Sequence, residues 1–171
     1  VRGPGVFSGY FGESPADAQI DDDGYLASGD YASIDDDGFI RLIGRKSEVF
    51  KTSTGRKVAP ASIESLLKQA PQVEHAIVFG AKRAAPVALL VVAPAAREAD
   101  PESLCQQLRD AVAAAVAGLP GYLRPVGLLV TPQPLTIEGG DLTGNLKLRR
   151  PNIEARFSAA LDELYRCLDS T

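Results

Sequence analysis

The 171-residue sequence has no tryptophan, no methionine, one histidine and two cysteines. With a single histidine, no pair of imidazoles is available for a metal site, and any Ser-His-Asp or Cys-His mechanism would rest on that one residue. His75 lies in Val73-Glu74-His75-Ala76-Ile77-Val78-Phe79, an apolar run that reads as a strand, so a structural role is assigned to it. Cys105 and Cys167 lack CxxC spacing and a histidine neighbour, and read as reduced thiols on helices. No apolar run approaches the roughly 18 residues of a membrane span. The opening Val1-Arg2-Gly3-Pro4 carries neither a signal peptide nor an initiator Met, and a piece of a longer, cytoplasmic protein is expected. Basic residues are in deficit, 18 Lys and Arg against 22 Asp and Glu, a net charge of -4. That balance argues against a nucleic-acid partner.

What is present suits a packed globular protein, with 45% hydrophobic and 23% charged residues. Two short units repeat, Ile20-Asp21-Asp22-Asp23-Gly24-Tyr25 and Ile34-Asp35-Asp36-Asp37-Gly38-Phe39. Their Asp-Gly steps are hairpin turn signals, with strands expected at 25–27, 31–34 and 39–43. The acidic triplets do not fit a calcium loop: Gln19 occupies the first ligand position of one, and Gly44 stands where the other needs a bidentate Glu. They read as solvated turns. Residues 49–51 look like the second strand of a hairpin. Pro60 suits a helix first turn, followed by Ile63, Leu66, Leu67 and Ala70 at helical spacing and ended by Pro71. Residues 73–80, 87–92 and 126–130 are strand-like. Asp100-Pro101 gives an N-cap and a first-turn proline before Leu104, Leu108, Val112 and Ala115, with Gly118 as the stop. Residues 133–145 form a loop rich in Pro, Gly, Thr and acids. Pro151 opens a last helix with Ile153, Phe157, Leu161, Leu164 and Leu168 on one face.

This order predicts an α+β fold. A small domain over residues 47–171 would hold a β-hairpin and a short mixed sheet flanked by helices. Residues 1–46 would be an edge β-segment of a larger N-terminal domain, because their strands have too few partners to form a sheet alone.

Four places combine residue types suited to chemistry. Ser28-Gly29-Asp30 puts a carboxylate after a glycine turn, where it can accept from two adjacent hydroxyls; a turn aspartate capping its own backbone reads the same in isolation. Gly44-Arg45 presents a planar donor fork suited to ribose or phosphate oxygens at the end of a strand. Thr52-Ser53-Thr54-Gly55 is a small-residue loop in which Gly55 permits close backbone approach. It lacks the GxxxxGK[ST] arrangement of a phosphate loop, and Arg56 and Lys57 follow it. In Asp141-Leu142-Thr143-Gly144-Asn145-Leu146-Lys147-Leu148-Arg149-Arg150, alternation sets Leu146 and Leu148 on one side and Lys147 on the other. The ammonium of Lys147 can reach a phosphate and neutralise charge there. Alternatively it is one member of a basic patch with Arg149, Arg150 and Arg156.

Taken together, Ser28-Gly29-Asp30, the segment IGRKSEVFKTSTGRKVAPASIE (residues 43–64) and DLTGNLKLRR (residues 141–150) resemble the carboxy-terminal signatures of adenylate-forming enzymes. Within that superfamily they look most like AMP-forming long-chain fatty acyl-CoA synthetases. Val1-Arg2-Gly3-Pro4-Gly5-Val6, Gly9-Tyr10 and Glu163-Leu164-Tyr165 extend the likeness nearly end to end. The resemblance implies that a fatty acid is activated with Mg-ATP to acyl-AMP and passed to CoA. Asp30 would hold the ribose hydroxyls, Arg45 would contact the nucleotide, and Lys147 would be the catalytic lysine of adenylation. Residues 52–55 would serve thioester formation. The hinge position is Ser47, where the superfamily usually carries Asp or Lys; adjacent Lys46 is a substitute. Gly144-Asn145 replaces the Pro-Thr usual in the lysine loop.

ATP, Mg2+ and CoA would be substrates of the full-length enzyme, none held tightly by this chain, whose implied partner is the N-terminal domain. The chain alone is expected to be inactive. A ligase loading a carrier protein, and a non-catalytic module that kept the fold, are the alternatives; Ser47 leans toward the latter.

Overall fold

The computed structural model describes residues 1–7, 9, 11–12 and 20–170. Tyr10 and Gln19 lie outside the described residues. The chain divides into two compact units, Val1–Ser47 and Glu48–Thr171.

In the first unit, β1 (Asp30–Ile34) and β2 (Ile40–Arg45) form an antiparallel hairpin. Its turn follows from the acidic repeat. The Asp35 side chain accepts the Phe39 amide at 2.8 Å, and Gly38 takes the left-handed conformation that closes the turn. Asp21 does the same for its own repeat, accepting from the amides of Asp23 and Tyr25. Both triplets are therefore turns. Residues 25–27 do not form the expected strand. Leu26 makes a single bridge to Ile20, and its backbone amide and carbonyl are both taken by Val1. On one face of the hairpin Ile34, Ile40 and Leu42 are 70%, 65% and 75% exposed.

The second unit is α+β, as the sequence predicts. A short hairpin, β3 (Phe50–Lys51) and β4 (Lys57–Val58), precedes α1 (Pro60–Leu67). Then come β5 (Val73–Phe79), β6 (Val87–Val92), α2 (Pro101–Val116), β7 (Leu128–Thr131) and α3 (Arg150–Asp169). The main sheet has the order β5-β6-β7, antiparallel then parallel. Strand periodicity divides the core in two. Ala76, Val78, Ala88, Leu90 and Val92 pack with Ile63 and Leu67 of α1 and Leu104, Leu108 and Val112 of α2. Ile77, Phe79, Val87, Leu89 and Val91 pack with Ile153, Leu161 and Tyr165 of α3. Strand β6 is buried on both faces, hence its unbroken apolar run.

Several local expectations shift. Phe50 and Lys51 open a hairpin with β4 rather than closing an earlier one. Helix α1 stops at Leu67, short of Pro71, through tight terminal bonds from Gln69 to Leu66 and Ala70 to Leu67. Asp100 caps α2 as expected, accepting the Ser103 amide, but Gly118 is not left-handed. The helix ends instead in i→i+3 bonds from Ala117 and Leu119. Strand β7 begins at Leu128 rather than at 126.

Two polar anchors cross the layers. Glu64 of α1 meets Arg150 in a two-point fork, Nη1 to Oε1 at 2.8 Å and Nη2 to Oε2 at 3.0 Å. Its Oε1 also accepts the Val78 amide at 2.7 Å, and Arg150 returns a bond to the Val78 carbonyl. On the other face the Tyr165 hydroxyl donates to the Ala85 carbonyl at 3.0 Å. Burial pushes this phenol up to about 12, with the cation of Arg83 opposing.

Truncating Glu64 leaves the Arg150 guanidinium without its partner in a mostly buried site. Glu64→Ala is expected to lower unfolding free energy by about 3 kcal/mol, read from urea melts of the chain. His75 gives a pH test. Burial holds its pKa below 6.5 against the opposing pull of Glu74, with Lys68 adding a smaller push downward. Between that lowered value and 6.5 the unfolded chain binds a proton that the folded chain refuses, so stability declines as pH falls through this window. His75→Phe should show a smaller drop in urea midpoint between about pH 7.5 and about pH 5.5 than the unaltered chain.

Candidate functional site

The lysine segment is built on a network that keeps the chain compact between β7 and α3. Asp141, only 1% exposed, pairs with Arg156 of α3 and accepts the Thr136 amide. Its backbone amide donates to the Thr136 carbonyl at 3.0 Å, and its carbonyl accepts the Arg149 amide at 2.7 Å. Asn152 adds a bond to the Gly140 carbonyl at 2.8 Å. From this base the chain rises into a tight turn. Leu142 bridges Leu148, the Thr143 amide donates to the Lys147 carbonyl, and the Leu146 amide donates to the Thr143 carbonyl. The Thr143 hydroxyl accepts the Lys147 amide at 3.1 Å.

Lys147 is thus held by its backbone in a turn and not on a strand, which corrects the alternation expected there. Leu146 adopts φ +58°, a left-handed conformation unusual for a leucine, and is 67% exposed. Leu148 instead packs against the α3 side of the core. The two leucines do not share a face, because a tight turn has no period of two. The Lys147 side chain is exposed and makes no hydrogen bond or ion pair with any described residue. Its basic neighbours differ. Arg150 is committed to Glu64, with Glu48 at 3.9 Å, and Arg156 to Asp141. Half of the basic patch suggested by sequence is therefore neutralised, and Lys147 and Arg149 are its cations left to meet an external anion.

In the first unit, strand register sets Asp30 opposite Arg45, and Arg45 Nη1 lies 2.9 Å from Asp30 Oδ1. The same nitrogen donates to the Ser28 carbonyl at 3.2 Å, and the Lys46 amide donates to the Gly29 carbonyl at 2.7 Å. Gly29 takes a left-handed φ of +75°, which lets the turn close against β2. The pair remains partly exposed, so both groups can exchange this contact for hydroxyl or phosphate oxygens. Lys46 and Ser47 lie in a single 3-10 turn, Lys46–Glu48, and Ser47 is the last residue of the first unit.

Residues 52–55 connect β3 to β4. The Thr52 hydroxyl is buried, 2.8 Å from the Thr54 hydroxyl, and accepts the Arg56 amide at 3.2 Å. Gly55 takes φ +79°, with its amide bonded to the Thr52 carbonyl. The loop is ordered from within and is not a floppy linker. Arg56 stacks over the Tyr122 ring at 5.3 Å.

Sequence reading missed Asp141, Glu64 and Arg83 as supports for these segments. Each lies far along the chain from its partner, and none sits in a periodic pattern that would have exposed it. Among the described residues no group of three His, Cys, Asp or Glu side chains could hold a metal ion, and no helix is long and apolar enough to cross a membrane.

Comparison with known proteins gives the family of the chain. A family model described as AMP-binding enzyme C-terminal domain matches residues 48–169. A provisionally named fatty-acid–CoA ligase of Mycobacterium tuberculosis, FadD11, is 34% identical over 183 residues, covering 96% of this chain and 32% of its own length. The long-chain-fatty-acid–CoA ligase FadD15 of the same species is 29% identical, covering 96% of this chain and 30% of its own. The A domain of carboxylic acid reductase from Segniliparus rugosus, solved with AMP and a co-purified carboxylic acid, superposes with TM-score 0.71 at 29% identity. That match covers 90% of this chain and 25% of the other. The chain spans about a third of the length of the curated relatives it matches.

Because the Lys147 side chain is exposed and makes no hydrogen bond or ion pair with any described residue, Lys147→Ala should change the stability of the chain by no more than about 0.5 kcal/mol. Thr52→Val removes a buried acceptor and should cost about 1–2 kcal/mol. Chemical melts of the two variants check both.

Proposed function

This chain belongs to the AMP-binding enzyme C-terminal domain family, and on that premise we propose that it is the carboxy-terminal portion of an AMP-forming long-chain fatty acyl-CoA synthetase. The observation that carries the reading is Lys147, a cation on a backbone-locked turn that makes no ion pair with any described residue, while nearby Arg150 and Arg156 are committed to acids. Residues 1–46 are the tail of the large adenylation domain, with Asp30 and Arg45 as nucleotide contacts. Residues 47–171 are the mobile small domain, with Ser47 and Lys46 at the hinge. Serine tolerates the φ/ψ change a hinge requires, though it lacks the charge usual there.

The reaction has two halves. A fatty carboxylate oxygen attacks the α-phosphorus of ATP, pyrophosphate leaves, and acyl-AMP forms. Lys147 binds the phosphate oxygens and offsets the negative charge that grows in the transition state. Asp30 accepts from the ribose hydroxyls and orients the nucleotide, and the Arg45 fork holds its oxygens. Mg2+ arrives with the nucleotide phosphates. In the second half the CoA thiol attacks the acyl carbonyl, and AMP leaves. Residues Thr52, Ser53, Thr54 and Gly55 border the entering thiol, and the ordered backbone of the loop supports that placement. ATP, CoA and a fatty acid are therefore the substrates of the whole protein, and the cytoplasm is its proposed location. A second reading sends the acyl group to a phosphopantetheine carrier protein, and it is favoured by the likeness to a carboxylic acid reductase A domain.

In the full-length parent, ATP–pyrophosphate exchange should depend on a fatty acid. Lys147→Ala should slow it by about 100- to 1000-fold, the scale for one preorganised donor. Thioester formation from supplied acyl-AMP should fall much less, and equal losses in both halves would contradict the assigned role. Saturation by free CoA separates the main reading from carrier loading. The isolated chain should show no turnover.

A further inference from the structure

The 52–55 loop does not stand alone, and the segment behind it carries a residue that the reaction scheme leaves without a role. We propose that Arg83 is a positioning residue for acyl transfer, fixing the 52–55 loop to the last helix. This rests on the reading of that loop given above.

The contact runs through three layers. At the loop, the Ser53 amide donates to the Arg83 carbonyl at 2.8 Å, and the Lys82 amide donates to the Lys51 carbonyl at 2.9 Å. These two bonds flank Thr52 and stitch the start of the loop to residues 82–83. The Arg83 carbonyl can face Ser53 only because residues 80–83 turn sharply. The Arg83 amide donates to the Gly80 carbonyl at 3.1 Å, and Lys82 adopts φ +62°. A left-handed lysine is a disfavoured state that persists only where its surroundings hold it. Gly80 is closed in as well: a Cβ there would lie 2.9 Å from Pro86 Cα and 3.1 Å from the Phe50 ring.

At the helix, the Arg83 guanidinium lies over the Tyr165 ring at 4.7 Å and pairs with Asp162. The Tyr165 hydroxyl holds the same segment by its bond to the Ala85 carbonyl. One residue thus joins α3 by its side chain and the loop by its backbone. The Asp162 pair is exposed, and such pairs add little to stability. What Arg83 supplies is the direction of the turn, and a shift of about 1 Å in a substrate-positioning element is enough to cost on the order of 100-fold in rate.

The test uses the full-length parent with Arg83→Ala, Arg83→Lys and, as a surface control, Arg166→Ala. Arg83→Ala should leave fatty-acid-dependent ATP–pyrophosphate exchange within about twofold. It should lower kcat for thioester formation from supplied acyl-AMP by about 10- to 100-fold. Arg83→Lys keeps the charge opposite Asp162 but not the planar stack on Tyr165, and should fall between. Hydrogen exchange of the Ser53 amide in the 171-residue chain should quicken at least about tenfold in Arg83→Ala and stay unchanged in Arg166→Ala. Equal losses in both half-reactions, or an unchanged Ser53 amide, would overturn the proposal. If the unaltered parent transfers no acyl group to CoA, the functional reading fails, while Ser53 exchange still decides whether Arg83 holds the loop.

Discussion

A carboxylate taken out of water needs a compensating partner, and Glu64 has one on each of its oxygens. Arg150 supplies a matching fork from the first turn of α3, and the Val78 amide takes the remaining direction on Oε1. The consecutive elements α1 and β5 are therefore tied at one point to the start of α3, far along the chain. The same point fixes where α3 begins. Because Arg150 stands three residues after Lys147, it also fixes the base from which the lysine turn projects. Either group without the other would be a mostly buried charge that has lost its two-point partner, which makes the pair costly to break.

The same requirement sorts the other charges of the second unit. Asp141 is buried and draws Arg156 toward it, which compacts the polar segment between β7 and α3. Leu135, Leu142 and Leu148 seat this segment on the α3 side of the core, and backbone bonds and one ion pair fix the polar residues between them. The outcome is a division of labour among five nearby basic residues. Arg150 and Arg156 neutralise buried acids, Arg83 ties a turn to α3, and Lys147 and Arg149 keep their charges for something outside the fold.

Legibility in the sequence tracked periodicity. Helices α2 and α3 follow a period of 3.6, strands β5 and β6 are apolar runs bounded by turn residues, and all four lie close to where the sequence predicts them. Errors gathered where the pattern is short or the ends are set by single bonds. Residues 25–27 have a strand's composition, yet Val1 occupies the backbone groups of Leu26. Helix α1 looks longer in sequence because Ala70 falls at helical spacing, while the terminal bonds have already tightened past Leu67. At Lys147 the alternation of Leu, Lys and Leu reads as a strand. The chain turns instead, since Thr143 captures the Lys147 amide and Leu146 goes left-handed. The local support of Lys147 is set by this bond and this left-handed residue and not by the alternation.

The sequence by itself determined the fold class, the rough places of the main strands and helices, and which residues are of types suited to chemistry: Asp30, Arg45, the 52–55 loop and Lys147. These follow from local composition, spacing and family resemblance, all readable along one dimension. The tertiary structure alone decided which charges remain available and what holds the functional loops in place. The partners of Arg150, Arg156 and Arg83 lie 86, 15 and 79 residues away, and pairing over such separations depends on how the layers pack. No spacing rule on a single chain encodes it.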